Sequence, residues 1–294
     1  MTRPLTDDRS PLRERVVTVV TVVAPVGAVA LAAWQWARHG IGLAPLVLCG
    51  VMYLLTIIGI GAGFHRLFTH RSFQCGSALR WFFGIAGSMA AQGPLLFWVA
   101  CHRRHHRHSD EAGDPHSPHF HGEGIWGVLG GWWHAHVGWM FSYQPENYFK
   151  LTHDLVRDPV TLALHRGYLF WVAGGLILPG LVGLAWTGHR MDFWAAVLWG
   201  GFVRMFLVHH ATWCVNSICH LFGRAPHDTG DHSRNNLLVA LFTLGEGWHN
   251  NHHAFPSLAR HGLTAGQIDV SFLLLRGLEA LGLVWSLRLP DSEK

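Results

Sequence analysis

Three histidine clusters hold the residues of this chain whose types and spacing could do chemistry. His102-Arg103-Arg104-His105-His106 and His249-Asn250-Asn251-His252-His253 both read H-x-x-H-H, and His65 and His70 stand five residues apart. On a helix, at about 100° per residue, an H-x-x-H-H triplet fans its imidazoles over roughly a 100° arc of one face. Such a face is a large fragment of a metal site, and imidazole suits iron, zinc, copper and nickel alike. His65 and His70 would point about 140° apart on an unbroken α-helix, so they should sit where a helix ends or reach two different metals. Eight imidazoles exceed what one ion of about four to six ligands can use, which predicts a two-metal centre. A lone histidine in a chain with 24 of them is usually just a satisfied polar residue. Three spaced boxes are a different signal.

The elements that must position these boxes read as membrane helices. Half of the residues are hydrophobic and 14% are charged, against about 25% in soluble domains. Fifteen tryptophans and seventeen phenylalanines suit a protein that meets lipid headgroups. The net charge of +4 rests almost wholly on arginine, with Lys150 and Lys294 the only lysines. No basic run alternates with exposed aromatics, so the expected contacts are lipid or substrate and not nucleic acid. The five cysteines form no C-x-x-C pair, which fits a reduced, cytoplasm-facing site.

Val17 to about Ala37 can span a bilayer and Ile41 to about Gly63 can return, with only Arg38-His39-Gly40 between them. Gly167 to Trp186 and Phe193 to about Asn216 make a second hairpin across Thr187–Asp192. The last helix should outrun the bilayer and present His220 beyond it. Ala78 to Ala100 is apolar but broken near Pro94; an in-plane, interfacial segment would keep the first two boxes on one side. The expected fold is an all-α integral membrane protein with four transmembrane helices, forming one domain. It divides into a cytoplasmic tail (1–16), a first hairpin (17–63), a first cap segment (64–166), a second hairpin (167–216) and a second cap segment (217–294). Nineteen of the 22 Lys and Arg fall in the termini and cap, which orients the boxes and both termini to the cytoplasm.

Boxes of the forms H-x4-H, H-x-x-H-H and H-x-x-H-H between two hydrophobic hairpins resemble those of the membrane fatty-acid desaturases, over about residues 41–263. The most specific segments are Gly63-Phe64-His65-Arg66-Leu67-Phe68-Thr69-His70, Thr212-Trp213-Cys214-Val215-Asn216-Ser217-Ile218-Cys219-His220 and Gly247-Trp248-His249-Asn250-Asn251-His252-His253. They look like the stearoyl-CoA (Δ9) desaturase-like branch in a bacterial form. The resemblance implies two iron ions held by His65, His70, His102, His105, His106, His220, His249, His252 and His253, with Asn216 holding a metal-bound water. Asp114-Pro115-His116 recurs in such proteins, where His116 would orient ligands. The implied reaction uses O2 and two electrons to place a cis double bond, at Δ9, in a long saturated acyl chain. Redox-inert zinc in the same site would leave the protein inactive.

The resemblance also implies an acyl tunnel lined by Gln92, Trp98 and Thr212, with Trp213 near its polar end. Tyr53, Ile57, Gly61 and His65 recur every four residues on the second helix and so share a face. Gly61 would leave room beside the metals, Ile57 would narrow the path, and Tyr53, about 18 Å from His65, would close it. Animal acyl-CoA relatives read W-x-R-D-H before the second box, whereas this chain has Trp98-Val99-Ala100-Cys101-His102. Losing that charged pair leaves acyl-CoA, acyl-lipid and acyl-carrier-protein all open as the carrier. There is no H-P-G-G haem motif or cysteine array, so electrons should come from a separate ferredoxin- or cytochrome-type donor and its reductase. Arg204 is costly in lipid unless it snorkels or faces a pocket. His209 and His210 read as structural, and His108, His119, His121, His134 and His136 as surface or supporting residues.

Three rivals exist. A hydroxylase or acetylenase could use the same boxes. A soluble ferritin-like oxidase needs two Glu-x-x-His motifs, and only Glu246-Gly247-Trp248-His249 fits. A metal transporter would bind near the bilayer midplane, whereas these boxes lie outside the spans.

Overall fold

The computed structural model describes residues 11–142 and 148–290. Most of the expected 1–16 tail lies outside the described residues, and its last stretch already belongs to helix α1 (Pro11–His39). Among the described residues four helices are long and apolar enough to cross a membrane: Val16–His39, Leu43–Thr69, Tyr168–Thr187 and Arg190–Leu221. They are the four that the hydropathy pattern predicts, with shifted ends. The second span begins as α2 (Leu43–Ile58) and runs on, unbroken, as a π-helical stretch over Gly59–Thr69. The first histidine box therefore rides on the spanning helix itself. Both turns between spans are short, and Gly188 takes the left-handed φ of 75° that lets the third span stop.

The first hairpin is a hairpin by connection more than by packing. Ala32 of α1 and Cys49 of α2 meet around Val203, on the fourth span. Gln35 Oε1 on α1 accepts the indole N–H of Trp199 at 2.9 Å. The apolar segment after the first box is two helices. Helix α3 (Ser77–Met89) and helix α4 (Leu95–His108) form a second kind of hairpin, broken at Ala90–Pro94 as the proline requires. α3 packs closely along the π-helical stretch: a Cβ on Gly59 would lie 2.2 Å from the backbone nitrogen of Gly87. Small residues let helix backbones approach where lipid supplies no hydrophobic drive.

The α3–α4 turn and its surroundings receive two polar residues of the fourth candidate span. Arg204 is fully buried and neither snorkels nor faces a pocket. It donates to the carbonyls of Met89 at 2.7 Å, Gly175 at 2.8 Å and Gly200 at 3.1 Å. His209 Nε2 donates to the Ala90 carbonyl at 2.8 Å, and the Gly93 N–H donates to the Tyr168 hydroxyl at 3.0 Å. An irregular turn buried among helices leaves backbone groups that protein side chains must satisfy.

Between α4 and the third candidate span, α9 (Tyr168–Thr187), lie α5 (Gly124–Trp133), α6 (Trp139–Ser142), α7 (His153–Val156) and α8 (Pro159–Arg166). The fourth span joins α10 (Arg190–Ala196), a π-helical stretch Val197–Val203 and α11 (Arg204–Leu221). Then come α12 (Leu237–Phe242), α13 (His249–Ala254) and α14 (Val270–Ala280). One departure from all-α is a short antiparallel pair, β1 (Gln74–Cys75) with β2 (Val284–Trp285). It staples the chain after the first box to the C-terminal tail.

Candidate metal centre

Four helices deliver the nine histidines named from the sequence. The end of the second span supplies His65 and His70, α4 supplies His102, His105 and His106, α11 supplies His220, and α13 supplies His249, His252 and His253. They sort into two groups whose ligand atoms lie within 4.8 Å of one another. One group holds His65, His70, His102, His106 and His252; the other holds His105, His220, His249 and His253. Each H-x-x-H-H box is split between them. Positions i and i+4 lie about 40° apart on a helix and stay together, while i+3 leans about 60° the other way. So His102 and His106 face one group and His105 the other, and His249 and His253 face one group and His252 the other.

His65 and His70 join the same group, so the two-metal alternative for that pair does not hold. His70 ends the π-helical stretch, and its N–H bonds the His65 carbonyl at 3.1 Å. An i→i+5 helix winds more widely, so five residues return a side chain to its starting face.

The nitrogens point inward as ligands would. His65 and His252 Nε2 lie 3.0 Å apart, His252 and His106 Nε2 2.9 Å, and His106 and His102 Nε2 3.0 Å; His102 and His70 Nε2 are also 3.0 Å apart. Each ring nitrogen holds either one hydrogen or one lone pair. Along this run of five, at most two of the four contacts can be N–H···N bonds, which leaves the others with no hydrogen between the nitrogens. A cation relieves that conflict: two nitrogens bound about 2.1 Å from one ion at right angles lie about 3 Å apart. In the second group His220 and His249 Nε2 lie 3.0 Å apart, and His105 and His253 Nε2 3.3 Å.

Four of the opposite ring nitrogens are held by carboxylates that the sequence pattern mostly did not reveal. Asp114 takes His105 Nδ1 at 3.0 Å, Asp110 takes His220 Nδ1 at 2.7 Å, Asp231 takes His253 Nδ1 at 2.6 Å, and Glu246 takes His65 Nδ1. Each bond fixes the proton on Nδ1 and leaves Nε2 bare for a metal. The clue available in sequence was the rarity of acids so close to the boxes, since a buried carboxylate needs a partner.

Charge states agree. Burial first, then the repulsion of neighbouring imidazoles, holds His70, His102, His106, His249 and His252 well below the ordinary histidine range. Burial also lowers His253, to about 4, against the pull of Asp231. For His105 burial acts downward too, but the charge and hydrogen bond of Asp114 outweigh it and raise the group. Burial pushes Asp110, Asp114, Asp231 and Glu246 up, yet their histidine and, for Glu246, Arg66 partners hold all four below the usual carboxylate range.

Two further triads lie against the groups. His65, Glu246 and His261 come within 4.8 Å, but Arg66 stands where a cation would. Its NH2 lies 2.9 Å from Glu246 Oε1, 3.0 Å from Asp269 Oδ1 and 3.1 Å from His261 Nδ1. His105, Asp114 and His116 form the other. There the His116 ring lies tilted against His105, centroids 4.4 Å apart, the His116 backbone N–H donates to Asp114 Oδ1 at 3.1 Å, and burial lowers the imidazole to about 3.

The residues expected along the acyl path separate into two sets. Trp98 Nε1 donates to Gln92 Oε1 at 3.3 Å, Gln92 donates to the Thr212 hydroxyl, and Trp98 stacks on His102 at 5.2 Å. These three meet beside the first group. Trp213 packs instead with His209, His136 and His210. The Tyr53 hydroxyl bonds the Phe242 carbonyl at 2.6 Å, and Ile57 is buried in the core. The room beside Gly61 is already filled: a Cβ there would lie 2.8 Å from Glu246 Oε1. Gly61 thus makes space for the carboxylate that orients His65 and not for an acyl chain. Asn216 is half-buried, one turn before His220 on α11.

Comparison with known proteins agrees with this geometry. Residues 41–267 match the family model "Fatty acid desaturase". The chain is 42% identical over 277 residues to a hex-5-enoyl-acyl-carrier-protein acetylenase of Moorena producens, covering 94% of this chain and 85% of that one. It is 39% identical over 265 residues to an sn-1 stearoyl-lipid 9-desaturase of Anabaena variabilis, covering 89% and 88%. A protein of the same description from Synechocystis is 37% identical over 300 residues, covering 99% and 86%.

Proposed function

The chain belongs to the fatty-acid desaturase family, and from that premise we propose that it is an oxygen-dependent desaturase placing a cis Δ9 double bond in a long membrane-resident acyl chain. The observation that carries this reading is the convergence of nine imidazoles on two adjacent points, with neighbouring Nε2 atoms about 3 Å apart in each group. Two iron ions bound by those nine residues would supply the O2 activation and oxidising power that an unactivated C–H bond demands.

The rest is done by side chains. Asp110, Asp114, Asp231 and Glu246 hold Nδ1 protons and so keep each ring turned to its ion. Asn216 and His116 support the ligands, Asn216 through a bound water. Burial keeps bulk water off, which favours turnover of substrate over wasteful side reactions. Gln92, Trp98 and Thr212, already joined by hydrogen bonds, hold one pair of methylenes beside His102. Trp213 lines the polar end, and Ile57 and Tyr53 wall the methyl end, with Tyr53 pinned by Phe242.

We place the cap and both termini on the cytoplasmic side, with α3–α4 re-entering between the spans, because nearly all arginines lie on that side. A separate ferredoxin- or cytochrome-type protein would deliver electrons there. The acetylenase named above is described as acting on an acyl-carrier-protein substrate, so acetylenation is the second reading; residue types at the boxes do not separate the two. The test is expression in a desaturase-null host, with lipid double-bond positions assigned and metal content measured. New cis Δ9 acyl chains support desaturation. Triple bonds or hydroxyl groups in their place transfer the chain to the second reading, and no new product refutes both.

A further inference from the structure

Arg103 and Arg104 fill the two positions between the histidines of the second box, and neither has a role in the chemistry above. Arg104 Nε donates to the Gly113 carbonyl at 2.9 Å. Arg103 instead ties three segments together. Its Nη1 donates to the Leu151 carbonyl at 2.8 Å and to Asp154 Oδ1 at 2.7 Å. Its Nη2 donates to Asp154 Oδ2 at 3.0 Å and to the carbonyls of Thr69 at 3.1 Å and Phe68 at 3.4 Å. All four Nη hydrogens therefore have acceptors, in the planar fork that a guanidinium offers and an ammonium does not. Phe68 and Thr69 close the π-helical stretch that ends at His70. Leu151 and Asp154 lie in the 3-10 turn Tyr148–Thr152 and in α7.

Asp154 also pairs with Arg71. Arg71 takes a left-handed φ of 52°, where a helix end usually has glycine, and so turns the chain sharply away after His70. The two arginines that share Asp154 thus each follow a ligand of the five-histidine group: Arg71 follows His70, and Arg103 follows His102. The Nε2 atoms of those two histidines lie 3.0 Å apart. Burial pushes the Asp154 carboxyl up, but Arg103 and then Arg71 hold it below the usual carboxylate range. Glu246 orients an imidazole directly, whereas Asp154 grips the chain beside two of them.

Resting on the two-metal reading, we propose that Asp154 and Arg103 are positioning residues for the ion of the five-histidine group. They form a clamp that fixes the end of the π-helical stretch against α4 and so sets the His70–His102 separation. A metal site tolerates ligand distances within about 0.2 Å, so a small slip of one helix past the other costs affinity. The clamp is partly open: the side chains of Arg103, Asp154 and Arg71 are 23%, 30% and 54% exposed. Exposed ion pairs add little to folding stability, so loss of the clamp should reach the metal before it reaches the fold. The four-histidine group takes no ligand from the π-helical stretch, and its one ligand on α4, His105, is held by Asp114. It should be spared.

Titration of the metal-free protein with Co2+, followed by visible absorption, tests this without turnover. His70→Ala identifies which of the two binding phases belongs to the five-histidine group. Asp154→Asn should weaken that phase about tenfold, with the other phase and the melting temperature unchanged. Asp154→Glu should recover most of the affinity, and Arg103→Lys, which lacks the fork, should lose as much as Asp154→Asn. Asp154→Asn combined with Arg103→Gln should lose no more than either alone, because both remove one clamp. Equal affinities in wild type and Asp154→Asn overturn the proposal. So does equal weakening of both phases or a lowered melting temperature, which would mark a general structural effect. Fewer than two Co2+ bound by wild type would refute the two-metal reading and the clamp with it. The desaturase reading fails separately, on lipid products that this titration does not read.

Discussion

The two histidine groups are built by different strategies. The four-histidine group around His220 has three rings braced by aspartates: His105 by Asp114, His220 by Asp110 and His253 by Asp231. The five-histidine group has one brace, Glu246 on His65, and that acid is shared with the buried cation Arg66. One group is stabilised by three separate anionic partners. The other relies on more ligands and a single charged node, Arg66, Glu246 and Asp269, none of it open to water. Damage should therefore spread differently in each: graded in the first, abrupt in the second.

Loss of a ligand should exceed every other effect and hit both groups alike. His105→Ala or His102→Ala is expected to abolish desaturation and lower bound metal, measured by product analysis and elemental analysis. Full activity in His105→Ala would sink the ligand assignment. Next in size comes Glu246→Gln. It leaves Arg66 with one carboxylate, and breaking a buried pair costs about 3–5 kcal/mol; thermal stability and metal content should fall together. Asp231→Asn should cost only about 10–100-fold in metal affinity, with the fold kept. If Asp231→Asn and Glu246→Gln lose stability to the same extent, the contrast between braced and nodal groups is wrong.

Acid should sharpen the picture in metal-free protein. His70, His102, His106, His249 and His252 are held low by burial, so below about pH 6.5 the unfolded chain binds protons that the folded chain refuses. The aspartates Asp110, Asp114 and Asp231 are held low as well; their contribution is present above about pH 4 and is lost as pH falls through that range. Both effects have one sign, with His105 alone opposing. The melting temperature of the metal-free protein should fall as pH drops from about 7 to about 5, and a flat profile would refute the buried-neutral reading. The smallest effect is on product length: Tyr53→Ala should accept longer chains, with the double bond still counted from the carboxyl end. An unchanged length preference would mean that the path closes elsewhere.

Local properties of the sequence determined much of this protein. Runs of apolar residues long enough to span a bilayer located four helices, because hydropathy is additive along a segment. Residue type and helical spacing named eight of the histidines and implied two metals, since i and i+4 must share a face wherever an α-helix forms; the ninth, His220, came from the resemblance of its Asn-Ser-x-x-His segment. What local pattern could not decide depended on distant partners. Glu246 braces His65 across 181 residues and Asp110 braces His220 across 110. The π winding that sets His65 beside His70 belongs to a helix packed against Gly87 and Phe83 of α3, and no spacing rule for an α-helix anticipates it. Arg204 read as a liability until the buried carbonyls of Met89, Gly175 and Gly200 were seen to receive it. A side chain's type and spacing are fixed by the sequence, but the partner that sets its proton, its charge and its direction is fixed by tertiary contact.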